Sequence, residues 1–377
     1  MKDNHSEHKY SHNFPPLDII DLDKVPSEAG DNNTSDKNGA KDSHSSANND
    51  NEASGFFDKV LRINWHIVLL LVVLLSVIFI VYRFATWGNR VESNFDPNNT
   101  NTELELEVLD NILPMLYTGE APAADDGVRT VVAFGNAPFA DDLGSDDNLA
   151  TLIGELTDAV IYNCVVEGSY LAASEPTYSA ENDPMDAFNF FWMTTLAAMK
   201  NTVIYESAFE ALGDNVPAGA KEAYDTLSTL DFSSVDVVTV MYDASDYLDG
   251  RKISNPENNT DIQTFYGNLN AGIEKIHEYY PHIRIIVMSP TYAYAVNDKG
   301  EYVSSDLYLY DEYPLSTYAM MLERGATMHA SSFLDNFYGT VNELNADQYL
   351  TDHLHLNVEG RKKVAERFVY ALEYYDE

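Results

Sequence analysis

The sequence predicts an α/β fold in which helices cover both faces of a parallel sheet, giving three layers in the order α/β/α. Short apolar runs rich in β-branched residues recur along the chain after residue 128, as expected of buried strands. Stretches with apolar residues at helical spacing separate these runs. Because strands that alternate with helices are joined by crossovers above and below the sheet, this order indicates parallel pairing.

The predicted elements follow one another in a regular order. Five strands are predicted, at 129–135, 159–166, 235–242, 283–288 and 331–335. Four helices are predicted, at 147–156, 262–279, 315–325 and 358–374. A further helix is expected to open after Pro184, since proline is favoured in the first helical turn. In the second helix, Leu269, Ile273 and Ile276 are spaced to form one apolar face.

Composition changes sharply along the chain and suggests four segments. Residues 1–62 are rich in Asp, Asn and Ser and predict a disordered polar tail. Residues 63–87 contain the run WHIVLLLVVLLSVIFIVY, long and apolar enough for a transmembrane anchor. Residues 88–102 read as a polar linker and 103–377 as one globular domain. Since the apolar run begins more than sixty residues into the sequence, it is expected to stay as an uncleaved anchor.

Charge and cysteine content exclude several classes of function. The chain has 22 Lys and Arg against 61 Asp and Glu, a net charge of -39. Nucleic acids and anionic headgroups would be repelled, so neither is an expected partner. Its one cysteine, Cys164, cannot form an intramolecular disulfide framework or a Cys-only zinc site. Asp352, His353 and His355 lack a further His-rich motif, so we expect neither a metal nor a cofactor.

The loops that follow the predicted strands are the expected site, because ligands of such folds bind at the carboxyl ends of the strands. The loop before the last helix places Asp352 three residues ahead of His355. This spacing allows a carboxylate to orient an imidazole, as in the base half of a hydrolase triad. The alternative is that both residues only stabilise the loop, with Asn357 capping the helix.

Four blocks, taken in order, make residues 129–370 resemble the SGNH/GDSL hydrolase family. The blocks are Phe134-Gly135-Asn136-Ala137-Pro138-Phe139, Asn163-Cys164-Val165-Val166-Glu167-Gly168-Ser169, Tyr242-Asp243-Ala244-Ser245-Asp246-Tyr247 and Asp352-His353-Leu354-His355-Leu356-Asn357. The resemblance implies a three-layer sheet of flavodoxin-like type. It also implies that His355 is the base, that Asp352 orients it, and that position 137 belongs to the nucleophile.

Position 137 departs from the family, which has serine there. Ala137 has a methyl group that cannot attack a carbonyl, and Ser245 replaces the family's asparagine. The resemblance implies an oxyanion hole formed by the N–H group of Ala137, Gly168 and the hydroxyl of Ser245. Such a hole can persist without its nucleophile. The attacking group would then have to be water activated by His355, or else the hydroxyl of Ser169 or of Ser245.

Three functions therefore stay open from the sequence. The first is an esterase or acyltransferase acting on acylated carbohydrate of the cell envelope. The second is a pseudoenzyme that uses its cleft to bind a glycan or a partner protein. The third is a structural envelope protein. Tyrosines in 292–313 could pack on sugar rings or simply form a half-exposed loop.

The orientation of the anchor is expected to leave the tail in the cytoplasm and the domain outside. Counting charges does not decide it, since Lys59 and Arg62 on one side match Arg83 and Arg90 on the other. The expectation depends on the family resemblance and on the composition of the tail, which is typical of cytoplasmic tails. A cytoplasmic partner for the tail is possible on this reading.

Overall fold

A five-stranded parallel sheet forms the centre of the computed structural model, which describes Ser76 and residues 107–114, 126–310 and 312–374. Two additional short strands form a separate antiparallel hairpin. In chain order the strands are β1 (Thr130–Gly135), β2 (Val160–Asn163), β3 (Val237–Met241), β4 (Arg284–Met288), β5 (Ala295–Val296), β6 (Tyr302–Val303) and β7 (Ser332–Leu334).

Helices fill most of the connections between the strands. In chain order they are α1 (Ala137–Ala140), α2 (Leu149–Leu156), α3 (Phe190–Met199), α4 (Val203–Leu212), α5 (Ala220–Thr229), α6 (Ser245–Leu248), α7 (Phe265–Tyr279), α8 (Leu315–Met328), α9 (Asn336–Gly339), α10 (Ala346–Tyr349) and α11 (Val358–Glu373). Short 3-10 turns occupy Pro184–Phe188, Gly213–Asn215 and Phe232–Ser234.

The order of the parallel strands is β2-β1-β3-β4-β7, which confirms the predicted doubly wound, flavodoxin-like sheet. Right-handed crossovers put the helix between β1 and β2 on one face and the helices between β2 and β7 on the other. The packing agrees, since α2 contacts α11 while α7 contacts both α3 and α8. All residues of β1, β3 and β4 are buried, so these strands carry the core.

Local signals explain where several helices begin. Thr264 accepts a hydrogen bond from the Gly267 N–H, so α7 begins at Phe265 rather than at the predicted 262. Asn357 caps α11 in the same way, through the Gly360 N–H. The helix expected after Pro184 is a 3-10 turn, followed by α3, which Asn189 caps. The helices α4 and α5 were not predicted from the sequence.

An edge segment that the sequence analysis did not identify covers β7. Asn111 pairs antiparallel with Phe333, and the Leu113 N–H donates to Ser332 Oγ at 3.0 Å. Asp110 forms an ion pair with Arg367 of α11 at 2.6 Å. The segment thereby shields an edge strand that would otherwise present unpaired backbone groups.

The predicted tail (1–62), anchor (63–87) and linker (88–102) lie outside the described residues, apart from Ser76. Among the residues that are described, we find no helix with the length and apolar character needed to cross a bilayer. The described residues from Glu107 onward belong to one compact unit, Asn101–Glu377.

Gly135 allows β1 and β3 to end side by side. Its φ is +150°, and a Cβ placed there would lie 1.8 Å from the Met241 carbonyl oxygen. We expect Gly135→Ala to lower the free energy of unfolding by about 3 kcal/mol or more, because the clash is with backbone that cannot move aside. Chemical denaturation followed by circular dichroism would measure this change.

Gly144→Ala is the matched control. Gly144 also has a positive φ, +77°, but a Cβ placed there would meet no atom within 4 Å. The substitution should cost only about 1 to 2 kcal/mol, the backbone penalty alone. Equal losses for the two variants would contradict the close approach of β1 to β3.

Candidate active site

A buried asparagine joins the three loops that follow β1, β2 and β3. The Asn136 side chain donates to Asp243 Oδ1 at 2.8 Å and to the Ser169 carbonyl at 2.9 Å. In return, the Asp243 N–H donates to Asn136 Oδ1 at 2.8 Å. These bonds lie at the boundary between β1 and β3, where the connections diverge to opposite faces and where doubly wound folds bind ligands. The loops singled out in the sequence therefore meet.

Ala137, the position implied for the nucleophile, is the first residue of α1 and is buried. Gly168, implied for the oxyanion hole, has φ +69° and is exposed. Across the described part of the chain, neither the Ala137 N–H nor the Gly168 N–H takes part in a hydrogen bond within the protein.

Ser169 and Ser245, the two serines considered as substitute nucleophiles, lie in different surroundings. Ser169 is fully buried, and its hydroxyl donates to the Val166 carbonyl at 2.9 Å. Ser245 opens α6, is half-buried, and its N–H donates to Asp243 Oδ1 at 2.9 Å. Ser169 therefore packs the backbone of its loop, whereas Ser245 is only partly buried.

Asp246 holds the loop that contains Gly168. It is completely buried and accepts the N–H groups of Leu171 at 2.9 Å and Ala172 at 2.8 Å. Burial raises the pKa of this carboxyl to about 7, even though both N–H groups favour the charged form. A side chain of the third block thus fixes the residues just after the second block.

Asp352 and His355 form the pair that their spacing predicts. Asp352 Oδ2 lies 2.8 Å from His355 Nδ1. Asp352 Oδ1 accepts the N–H groups of His355 at 2.7 Å and Leu354 at 2.8 Å. With Nδ1 held in this way, the imidazole is fixed in orientation and Nε2 is the nitrogen left for a substrate or water.

The pKa values of this pair move apart. Burial alone would raise the pKa of Asp352, but the N–H and side chain of His355 outweigh it and lower the pKa to about 2. Burial alone would lower the pKa of His355, but the hydrogen bond to Asp352 and the charges of Asp141 and Asp243 raise it. His355 therefore keeps its proton to a higher pH than a free histidine does.

Asp141 is a site carboxyl that the sequence analysis did not assign to the site. It follows α1, and burial raises its pKa to about 6, with the charges of His355 and Arg361 opposing that rise. Its position one helical turn after Ala137 was visible in the sequence. Its electrostatic interaction with His355 was not, because more than two hundred residues separate them.

Arg361 of α11 ties the histidine loop to the loop after α1. Its buried guanidinium donates to the Leu356 carbonyl and the Asp147 carbonyl, both at 2.8 Å, and pairs with Asp142. The loop that carries His355 is thereby held to the loop that follows α1. We find no cluster of His, Cys, Asp and Glu suited to a metal ion among the residues described by the structure.

Comparison with known proteins finds similarity in overall structure. No protein-family model matches the chain, and no curated protein matches it. Similar solved structures include a possible lipase from Chitinophaga pinensis, 13% identical over 64% of this chain and 98% of that chain, with TM-score 0.40. A lipase/acylhydrolase from Enterococcus faecalis is 14% identical over 66% and 96%, with TM-score 0.38.

A member of the lipolytic G-D-S-L family from Veillonella parvula is 14% identical over 66% of this chain and 100% of that chain, with TM-score 0.37. In the structure itself, the strand order β2-β1-β3-β4-β7 carries Asn136 and Asp243 at its switch point. The Asp352–His355 pair precedes the last helix. The described domain therefore has a doubly wound parallel α/β fold with this pair at the carboxyl end of its sheet.

Proposed function

We propose that the domain carries an ester-hydrolysing active site of SGNH type, which acts on acylated carbohydrate of the cell envelope. The observation that carries the proposal is the pairing of His355 with Asp352 at 2.8 Å. A base oriented in this way, together with N–H groups at Ala137 and Gly168 that have no acceptor among the described residues, is what acyl transfer requires.

Water is the nucleophile in this proposal, because Ala137 cannot attack and the Ser169 hydroxyl is buried in bonds to backbone carbonyls. The water oxygen forms a bond to the ester carbonyl carbon while His355 Nε2 takes the water proton. The N–H groups of Ala137 and Gly168, together with the Ser245 hydroxyl, bind the resulting oxyanion. Cleavage of the carbon–oxygen bond then expels the alcohol, which receives the proton from His355.

The surroundings of the reaction are part of the proposal. Residues 63–87 would anchor the protein by a single span, with the tail in the cytoplasm and the domain outside the membrane. The acidic composition supports a neutral or cationic substrate. A cytoplasmic partner could then bind the tail.

A second candidate function is a pseudoenzyme that binds a glycan or partner protein in the same cleft. The methyl group of Ala137 favours it, since loss of a triad serine costs on the order of a millionfold in turnover. Binding and oxyanion stabilisation would remain after that loss, with a residual rate on the order of a thousandfold above water.

Release of acetate from an aryl ester and from acetylated glycans tests both candidates. We expect weak activity in the unchanged protein that His355→Ala abolishes, because His355 is the proposed acceptor of the water proton. Ala137→Ser should raise turnover at least about 100-fold by restoring a covalent route. A silent unchanged protein with an active Ala137→Ser variant would favour the pseudoenzyme. No acetate release by either protein would contradict the proposed ester hydrolysis.

The pH dependence of the Ala137→Ser variant tests the electrostatics. Activity should rise with pH as His355 loses its proton, with a midpoint above the usual histidine value, because Asp352, Asp141 and Asp243 favour the charged imidazole. Asp141→Asn removes one of these charges, so the midpoint should fall. Asp146→Asn, at an exposed neighbour that is not among the main causes of the His355 shift, should leave the midpoint in place. A midpoint that shifts to higher pH in Asp141→Asn would contradict the assignment of Asp141 as a charge that raises the pKa of His355.

A further inference from the structure

An exposed aromatic group lies beside the loop that carries His355. Tyr302 of β6 keeps 59% of its surface exposed. Its ring stacks on Tyr294 with centroids 6.0 Å apart and planes 12° from parallel. The centroid of the His353 ring lies 5.5 Å from that of the Tyr302 ring, and the two ring planes are 31° apart. We call Tyr294, Tyr302 and His353 the aromatic platform.

The aromatic platform is fixed to the fold at several points. The Tyr294 hydroxyl donates to Asp347 Oδ1 at 2.8 Å, and the Tyr294 N–H donates to the His353 carbonyl at 2.8 Å. The strand β6 pairs with β5 through Val296 and Tyr302. An exposed ring held in this way is a rigid, preorganised surface. Ordering this ring on ligand binding therefore costs little conformational entropy.

The platform is close to the reacting groups. His353 lies two residues before His355, so their Cα atoms are at most about 7 Å apart. The loop is closed by the Thr351 N–H, which donates to the His355 carbonyl at 2.8 Å, and by pairing of Leu350 with Leu356. A single sugar ring spans such a distance, so a ring on the platform can present an attached ester to His355.

The polar groups around the platform suit hydroxyl and amine groups. Asp347 already accepts from Tyr294, and Asp352 lies next to His353. Carboxylates accept hydrogen bonds from sugar hydroxyls, and an ammonium group above an aromatic face gains a cation–π attraction. A chain with 61 acidic and 22 basic residues disfavours uronic acids and phosphorylated sugars.

We propose that the aromatic platform is a subsite for the pyranose ring of a neutral or amino sugar, namely the ring that carries the ester. The inference rests on the proposed function for the position of the ester, but not for the binding itself. A flat exposed ring flanked by carboxylates suits the apolar face and the polar rim of a sugar. An aliphatic acyl chain would instead need an enclosed apolar groove, whereas Tyr302 is open to solvent.

Binding of unesterified sugars by the full-length protein tests the subsite without depending on hydrolysis. Isothermal titration would use oligomers of N-acetylglucosamine and of glucosamine, with oligogalacturonate as the anionic comparison. Tyr302→Ala should raise the Kd of the first two roughly fivefold or more, given the usual strength of aromatic stacking. Tyr302→Phe keeps the ring and should restore the affinity.

Tyr279→Ala is the matched control, because Tyr279 is a tyrosine of similar kind, 43% exposed, on α7. The Kd of this variant for the hexosamine oligomers should stay within about twofold of the Kd of the unchanged protein. No binding of either hexosamine oligomer, an unchanged Kd in Tyr302→Ala, or tightest binding to oligogalacturonate would each overturn the subsite. Tyr302-dependent binding without any ester hydrolysis would leave the subsite standing and refute only the proposed hydrolysis.

Discussion

The reciprocal hydrogen bonds between Asn136 and Asp243 are the constraint on which the cleft depends. Both residues are almost completely buried, and hydrogen bonds to a buried charged group contribute more than those between neutral groups. Without Asn136, the Asp243 carboxylate would lose a donor and the Asp243 N–H would lose its acceptor. Ser169 is joined to the same amide. The loops after β1, β2 and β3 are therefore coupled, and the N–H groups of Ala137 and Gly168 are held with them.

A second set of contacts brings the histidine loop to this junction. Asp352 orients His355 locally, but Arg361 determines where that loop sits, through the Leu356 carbonyl and the loop after α1. The placement exposes the imidazole to the charge of Asp141. The same fold therefore combines a well-oriented imidazole, an acidic environment that keeps this imidazole protonated to higher pH, and a methyl group at the position of the expected nucleophile. Slow ester hydrolysis and simple ligand binding are both consistent with that combination.

The sequence predicted the fold class well because its signals are local. Alternation of apolar strands and amphipathic helices depends on repeats of two or 3.6 residues, which are visible within short windows. The Asp352–His355 hydrogen bond is equally local, spanning three residues. By contrast, α4 and α5 and the pairing of Asn111 with Phe333 were missed. The edge pairing joins segments distant along the chain, and no short window contains both partners.

By itself, then, the sequence determined the α/β architecture, the four loop blocks, the alanine at position 137 and the oriented histidine. Only the tertiary structure decided that Asn136 bonds to Asp243 across 107 positions of the chain, that the charge of Asp141 acts on His355, and that the Tyr302 ring lies beside His353. The reason is physical. Crossovers and strand register bring distant residues to one edge of the sheet, and those are properties of the assembled layers rather than of any stretch of sequence.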